Sequence, residues 1–73
     1  MGVNWKGMRI LLNGDPQELP APESVAALLN RLQLDARTVA VELDRVVVRR
    51  ACYETTEVRD GAEVEIVAFV GGG

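Results

Sequence analysis

The sequence predicts an α+β fold, a mixed sheet covered on one face by a single helix. Three observations predict it. Two stretches, "MRILLNGDPQEL" and "TVAVELDRVVV", read as strand, turn and returning strand. Only "PAPESVAALLNRLQL" carries a helical period. The last apolar strand, "AEVEIVAFV", follows a long aperiodic segment, so it cannot simply hairpin with its predecessor. Inserted beside the first strand and parallel to it, that strand becomes central, which accounts for its apolar richness.

In the first stretch Met8, Ile10 and Leu12 share one face, and Arg9 and Leu11 share the other. Asn13-Gly14 is the strongest short turn signal in the chain, since both residues tolerate positive φ. Asp15-Pro16 is expected to lengthen that turn, with a short strand from Gln17 to Leu19 returning. Pro20 and Pro22 keep the next approach extended. Ser24 is placed as the N-cap of the helix, its hydroxyl accepting from a free first-turn amide. Val25, Leu28, Leu29 and Leu32 follow the i, i+3, i+4, i+7 spacing of one buried stripe, with Asn30, Arg31 and Gln33 toward solvent. The helix is expected to end near Gln33, with Leu34 tucked beneath it.

In the second stretch Val39, Val41 and Leu43 share a face and Asp44-Arg45 forms the turn. Val46 to Val48 begin the return, and Arg49-Arg50 end it as a solvated strand end. "YETTEVRDG" has no period and reads as a crossing loop with one helical turn. Asp60-Gly61 is a turn, after which Val64, Ile66, Ala68 and Val70 point one way. The order is β-β-α-β-β-β, the β-grasp or ubiquitin-like arrangement, followed by three glycines. The boundaries are an N-terminal extension over residues 1–7, read as disordered, with Trp5 in it; a domain over 8–70; and a flexible tail over 71–73.

Composition narrows the function. Seventy-three residues make one domain. Apolar residues are 48% of the chain, enough for a core, although a domain this small buries only roughly 60% of its unfolded surface. A net charge of −3, with no basic stripe interleaved with aromatics, argues against nucleic acid and suits a basic protein partner. With no His and one Cys there is no set of metal ligands at usual spacing. No Ser or Cys has an evident base partner, and no glycine-rich phosphate loop precedes a helix, so nothing reads as an enzyme. Cys52 alone excludes an internal disulfide and reads as a small buried apolar residue. With no signal-peptide pattern and no apolar run of ~20 residues, the expected compartment is the cytoplasm, off the membrane.

On "MRILLNGDP", "SVAALLNRLQL", "VAVELDRVVVRR" and above all "DGAEVEIVAFVGGG", the chain resembles the ThiS family of sulfur carriers from thiamine biosynthesis. The likeness covers nearly everything from Met8 to Gly73. It implies a carrier, not an enzyme. Gly73 is the residue that reacts, and Gly71 and Gly72 complete the tail. An adenylating, ThiF-type partner uses Mg·ATP to join AMP to the Gly73 carboxylate, sulfur from a donor protein replaces the AMP, and the thiocarboxylate supplies thiazole synthase. No cofactor is bound by the carrier itself. The alternatives are a molybdopterin-type sulfur carrier, a ubiquitin-like modifier of lysines, and a non-covalent interaction module.

Such a tail needs a docking surface on the folded body. If Val64, Ile66 and Ala68 face the helix, then Glu65, Val67 and Phe69 face outward, with Leu11 on the neighbouring strand. Leu11, Val67 and Phe69 then form an exposed apolar patch framed by Arg9 and Glu65, and such patches mark partner sites. A more twisted sheet would instead place Phe69 in the core.

Overall fold

A computed structural model describes residues 7–69. The expected extension is therefore outside the described residues except for Gly7, as are Val70 and the tail, Gly71, Gly72 and Gly73.

The first hairpin joins β1, Met8–Leu12, to β2, Asp15–Leu19. Asn13 and Gly14 sit at φ of 51° and 86°, both left-handed, as a two-residue turn matched to strand twist requires. The turn is tighter than expected. Asp15 already pairs with Leu12 and Pro16 with Leu11. Proline is accommodated for a geometric reason. The Leu11 amide donates in the other direction, to Ala62 O at 2.9 Å, so Leu11 and Pro16 lie between the hydrogen-bonded pairs. The missing N–H of Pro16 falls on the open edge, where a strand proline is tolerated.

The helix α1 spans Val25–Arg31. Ser24 Oγ accepts from the Ala27 amide at 3.0 Å, the expected N-cap. Two turns are too few to hold alone in water. The helix is held by its stripe: Val25, Leu28 and Leu29 are fully buried, and Leu32 is partly so. Its end reverses at Gln33, φ 62°, where Gln33 N donates to Asn30 O and Leu34 N to Leu29 O, the pair of bonds of a Schellman motif. Leu34 does not tuck under. Reversal at Gln33 turns it outward, and it is 38% exposed. A short 3-10 turn, Ala36–Thr38, follows, capped by Asp35.

Strands β4, Val39–Leu43, and β5, Val46–Val48, form the second hairpin. Asp44 and Arg45 both take positive φ, 51° and 71°. The segment read as a loop holds more structure than its lack of period suggests. After a 3-10 turn at Arg50–Cys52, residues Glu57–Val58 (β6) pair antiparallel with Glu23–Ser24 (β3). This two-residue ladder closes the helix entrance against the loop, and Val25 N and Ala26 N also donate to Thr56 O and Tyr53 O. Tyr53 and Val58 are buried as a result. Cys52 is half-buried, at the edge of the core and not within it.

Strand β7, Glu63–Ala68, completes the main sheet, ordered β2-β1-β7-β4-β5. It is central, parallel to β1 and antiparallel to β4, as its composition predicts. The core lies between sheet and helix: Met8, Ile10, Val39, Val41 and Val64 meet Val25, Leu28 and Leu29.

Candidate functional site

The candidate site is the end of β7 that leads to Gly73, with the sheet face opposite the helix. Burial along the inward face of β7 falls steadily: Val64 is buried, Ile66 half-buried and Ala68 exposed. The strand runs out from under the short helix, so Ala68 is not covered as expected. Its last described residue, Phe69, is still held by its backbone, with N donating to Thr38 O at 2.9 Å. Phe69 is 58% exposed, which places it outside the core.

The outward face carries both apolar and acidic groups. Val67 (60% exposed) and Phe69 alternate with the inward residues, as expected. Val67 lies opposite Ala40 on β4. Val47, on β5, points the same way and is 67% exposed. It lines the same trough of about 420 Å³ as Val67, Ala40, Glu42 and Glu65. Val47 was not legible as a face residue, since "VVV" has no alternation to orient it; the register to Glu42 settles it.

The predicted patch is only partly assembled. Leu11 is outward and 40% exposed. Its partner across the parallel ladder is Glu63, however, four positions before Val67 and so about 13 Å away along the strand. The apolar neighbours of Val67 come from β4 and β5, not from β1. Arg9 and Glu65 do not frame the patch together either. Arg9 lies beside Gly61, which donates to Arg9 O, and its guanidinium pairs with Glu18 across the β1–β2 ladder at 2.9 Å. Glu65 instead stands opposite Glu42 on β4. Two carboxylates directly across a ladder repel one another, a local cost to the fold.

The model of the ThiS family matches residues 10–73, from the third residue of β1 through the helix and the rest of the sheet to the three C-terminal glycines. The chain belongs to the ThiS family. The mixed sheet packed on one helix is the β-grasp fold that the sequence predicts. The ThiS protein of Geobacter metallireducens, described as a thiamine biosynthesis protein, superposes with a TM-score of 0.80 at 36% identity, over 90% of this chain and 100% of that one. A thiazole synthase of Paramagnetospirillum magneticum is 42% identical over 66 residues, 90% of this chain. The chain spans only 20% of that synthase's length. The uncharacterized protein ycf40 of Porphyra purpurea is 32% identical over 68 residues, covering 93% of this chain and 96% of its own length. Among the described residues of this ThiS-family chain, no helix is long and apolar enough to cross a membrane.

Proposed function

We propose that this chain carries sulfur as a thiocarboxylate on Gly73 and delivers it to thiazole synthase. The observation that carries the reading is the family match, which runs through the reactive tail to Gly73 itself. The thiazole synthase relatives support the choice of acceptor, because a segment like this chain forms part of the synthase's own polypeptide there.

The chemistry follows from the carboxylate. With a pKa of about 3.5, the C-terminal carboxyl is ionised at pH 7 and is a poor electrophile. One of its oxygens attacks the α-phosphorus of Mg·ATP held by an adenylating enzyme, forming a mixed anhydride while pyrophosphate leaves. The terminal sulfur of a donor persulfide then attacks the acyl carbon and AMP leaves, which joins Gly73 to the donor as an acyl disulfide. A second thiol of the donor or of the adenylating enzyme attacks the donor-side sulfur, forms a protein disulfide and releases the Gly73 thiocarboxylate; reduction of that disulfide resets the donor. Glycines suit this task. Lacking Cβ, they let the backbone enter a narrow channel in angles closed to other residues. Three of them reach at most ~10 Å, so the folded body must dock close to the ATP site. Ordering them costs roughly 3–6 kcal/mol of backbone entropy, which contacts from the body must offset.

The face around Val67, Phe69, Ala40 and Val47 supplies such contacts. Its Glu42–Glu65 pair gives it negative charge, which suits a basic partner surface and relieves the repulsion on docking.

The test is mass spectrometry of the C-terminal peptide after incubation with a ThiF-type adenylating enzyme, Mg·ATP and a sulfur source. The expected result is a thiocarboxylate localised to Gly73. Replacing oxygen by sulfur nearly matches methionine oxidation in mass, and Met1 and Met8 are present, so localisation is essential. An unmodified Gly73, with the enzyme active on its own carrier, overturns the reading.

A further inference from the structure

Strand β1 ends at Leu12, yet its ladder to β7 does not end there. Asn13 N donates to Val64 O at 2.8 Å, as a strand residue would. The next bond of a parallel ladder would run from Ile66 N to the carbonyl of Asn13. That carbonyl is unavailable, because the left-handed turn at Asn13 rotates it away. The Asn13 side chain takes its place: Oδ1 accepts from Ile66 N at 2.8 Å, and Nδ2 donates to Ile66 O at 3.2 Å. One amide side chain thus holds both backbone groups of Ile66, the residue from which β7 has no further strand on this side. Among the described residues beyond Ile66, Val67 and Ala68 pair with β4 and Phe69 N bonds Thr38 O.

Ile66 is seven residues before Gly73. Val67 and Ala68 still pair with β4 and Phe69 N still bonds Thr38 O, so the span beyond those bonds is the four residues to Gly73. Four extended residues reach at most about 14 Å, so a ~5° tilt of this end of β7 swings a fully extended end by about 1 Å. Misplacement of a reacting atom by ~1 Å can slow a reaction a hundredfold. We propose that Asn13 is a positioning residue for the C-terminal carboxylate: its side-chain amide fixes the direction in which β7 leaves the sheet once the body has docked. The proposal rests on the carrier reading above. It separates two roles on the molecule. The outward face sets how tightly the partner is held, and Asn13 sets how often the docked carboxylate meets the α-phosphorus of ATP.

The structure provides its own control. Asp44 opens the other left-handed turn and makes the same kind of substitution, its Oδ1 accepting from Glu63 N at 2.9 Å. It acts at the opposite end of β7, away from the tail. Glycine tolerates the φ of both positions, so Asn13→Gly and Asp44→Gly each remove the side-chain bonds and keep the turn.

The experiment measures pyrophosphate release by a ThiF-type adenylating enzyme with Mg·ATP, using wild type, Asn13→Gly and Asp44→Gly as substrates. Exchange of the Ile66 amide is followed by NMR in parallel. For Asn13→Gly we expect faster Ile66 exchange, a kcat lowered roughly tenfold and a KM within about twofold of wild type. For Asp44→Gly we expect unchanged kcat. An unchanged kcat in Asn13→Gly overturns the proposal. So does an equal fall in both variants, which would reduce Asn13 to a general structural role. If the enzyme turns over its own carrier but not the wild-type chain, the carrier reading fails and this proposal with it.

Discussion

Phe69 combines a fixed backbone with a free side chain. Its amide is tied to Thr38 O, while the residue is more than half exposed. An aromatic in that state is suited to anchoring a partner, because its position is set before binding and its apolar area is still to be buried. Phe69→Ala is expected to weaken binding to the adenylating enzyme or thiazole synthase by roughly 1–3 kcal/mol, while thermal stability changes by less than about 0.5 kcal/mol. Titration calorimetry and a melting curve check the two halves; loss of the fold would mean that Phe69 belongs to the core. Asp35 acts on the same spot through Thr38. Its carboxyl is held down to about 2, first by the hydrogen bond from the Arg37 side chain and next by the Arg37 backbone N–H. Because the folded pKa lies below the ordinary carboxylate value of 3.8, the bond is in place above about pH 4 and is lost as pH falls toward 2. Acid titration by NMR should therefore show the Arg37 amide changing at the acid end, with Asp35→Asn abolishing that step.

At the scale of elements, α1 depends on its cap and its stripe more than on length. Ser24→Ala removes the acceptor for Ala27 N and is expected to destabilise the domain by about 1 kcal/mol, read as a lower urea midpoint with unchanged slope. Ser24→Gly should lose only a few tenths. The cap, the helical stripe and the Asn13-Gly14 turn were legible in the sequence because each is written within a few neighbouring residues. The pairing of β3 with β6 was not: two residues on each side carry no periodicity, and their partners lie far apart in the chain. Tyr53 and Val58 were missed for the same reason, since their burial comes from the helix entrance folding against them. Pro16 misled because proline usually marks a turn. Only the direction of the Leu11 amide, toward β7, reveals that the edge position accepts it. In the site, alternation along β7 correctly placed Val67 and Phe69 outward. The parallel register then separated Leu11 from them, and register between strands far apart in sequence is not written in either strand alone.

At the scale of the whole molecule, the described residues keep the core and the candidate site in different places. Among the described residues, the fully buried side chains are aliphatic and lie between sheet and helix, whereas the candidate site occupies the opposite face and the end of β7. Two changes should therefore give opposite signatures. Leu28 is 1% exposed, and Leu28→Ala is expected to remove about 2–5 kcal/mol, a large share of the stability available to a domain of this size. Near its melting temperature its sulfur transfer should fall with the folded fraction; at low temperature, where the variant is folded, transfer should approach that of wild type. On the proposed carrier role, deleting Gly73 should do the reverse: melting within a degree or so of wild type, and no transfer at any temperature, because the carboxylate proposed to react is moved back by one residue, about 3.5 Å of extended chain. Melting curves and thiocarboxylate mass spectrometry on both variants decide the point. If the Gly73 deletion still accepts sulfur, the terminal carboxylate is not held to a fixed distance from the body. The positioning role assigned to Asn13 would then lose its purpose, since a clamp on Ile66 matters only if the partner measures the span from the docked face to the last residue.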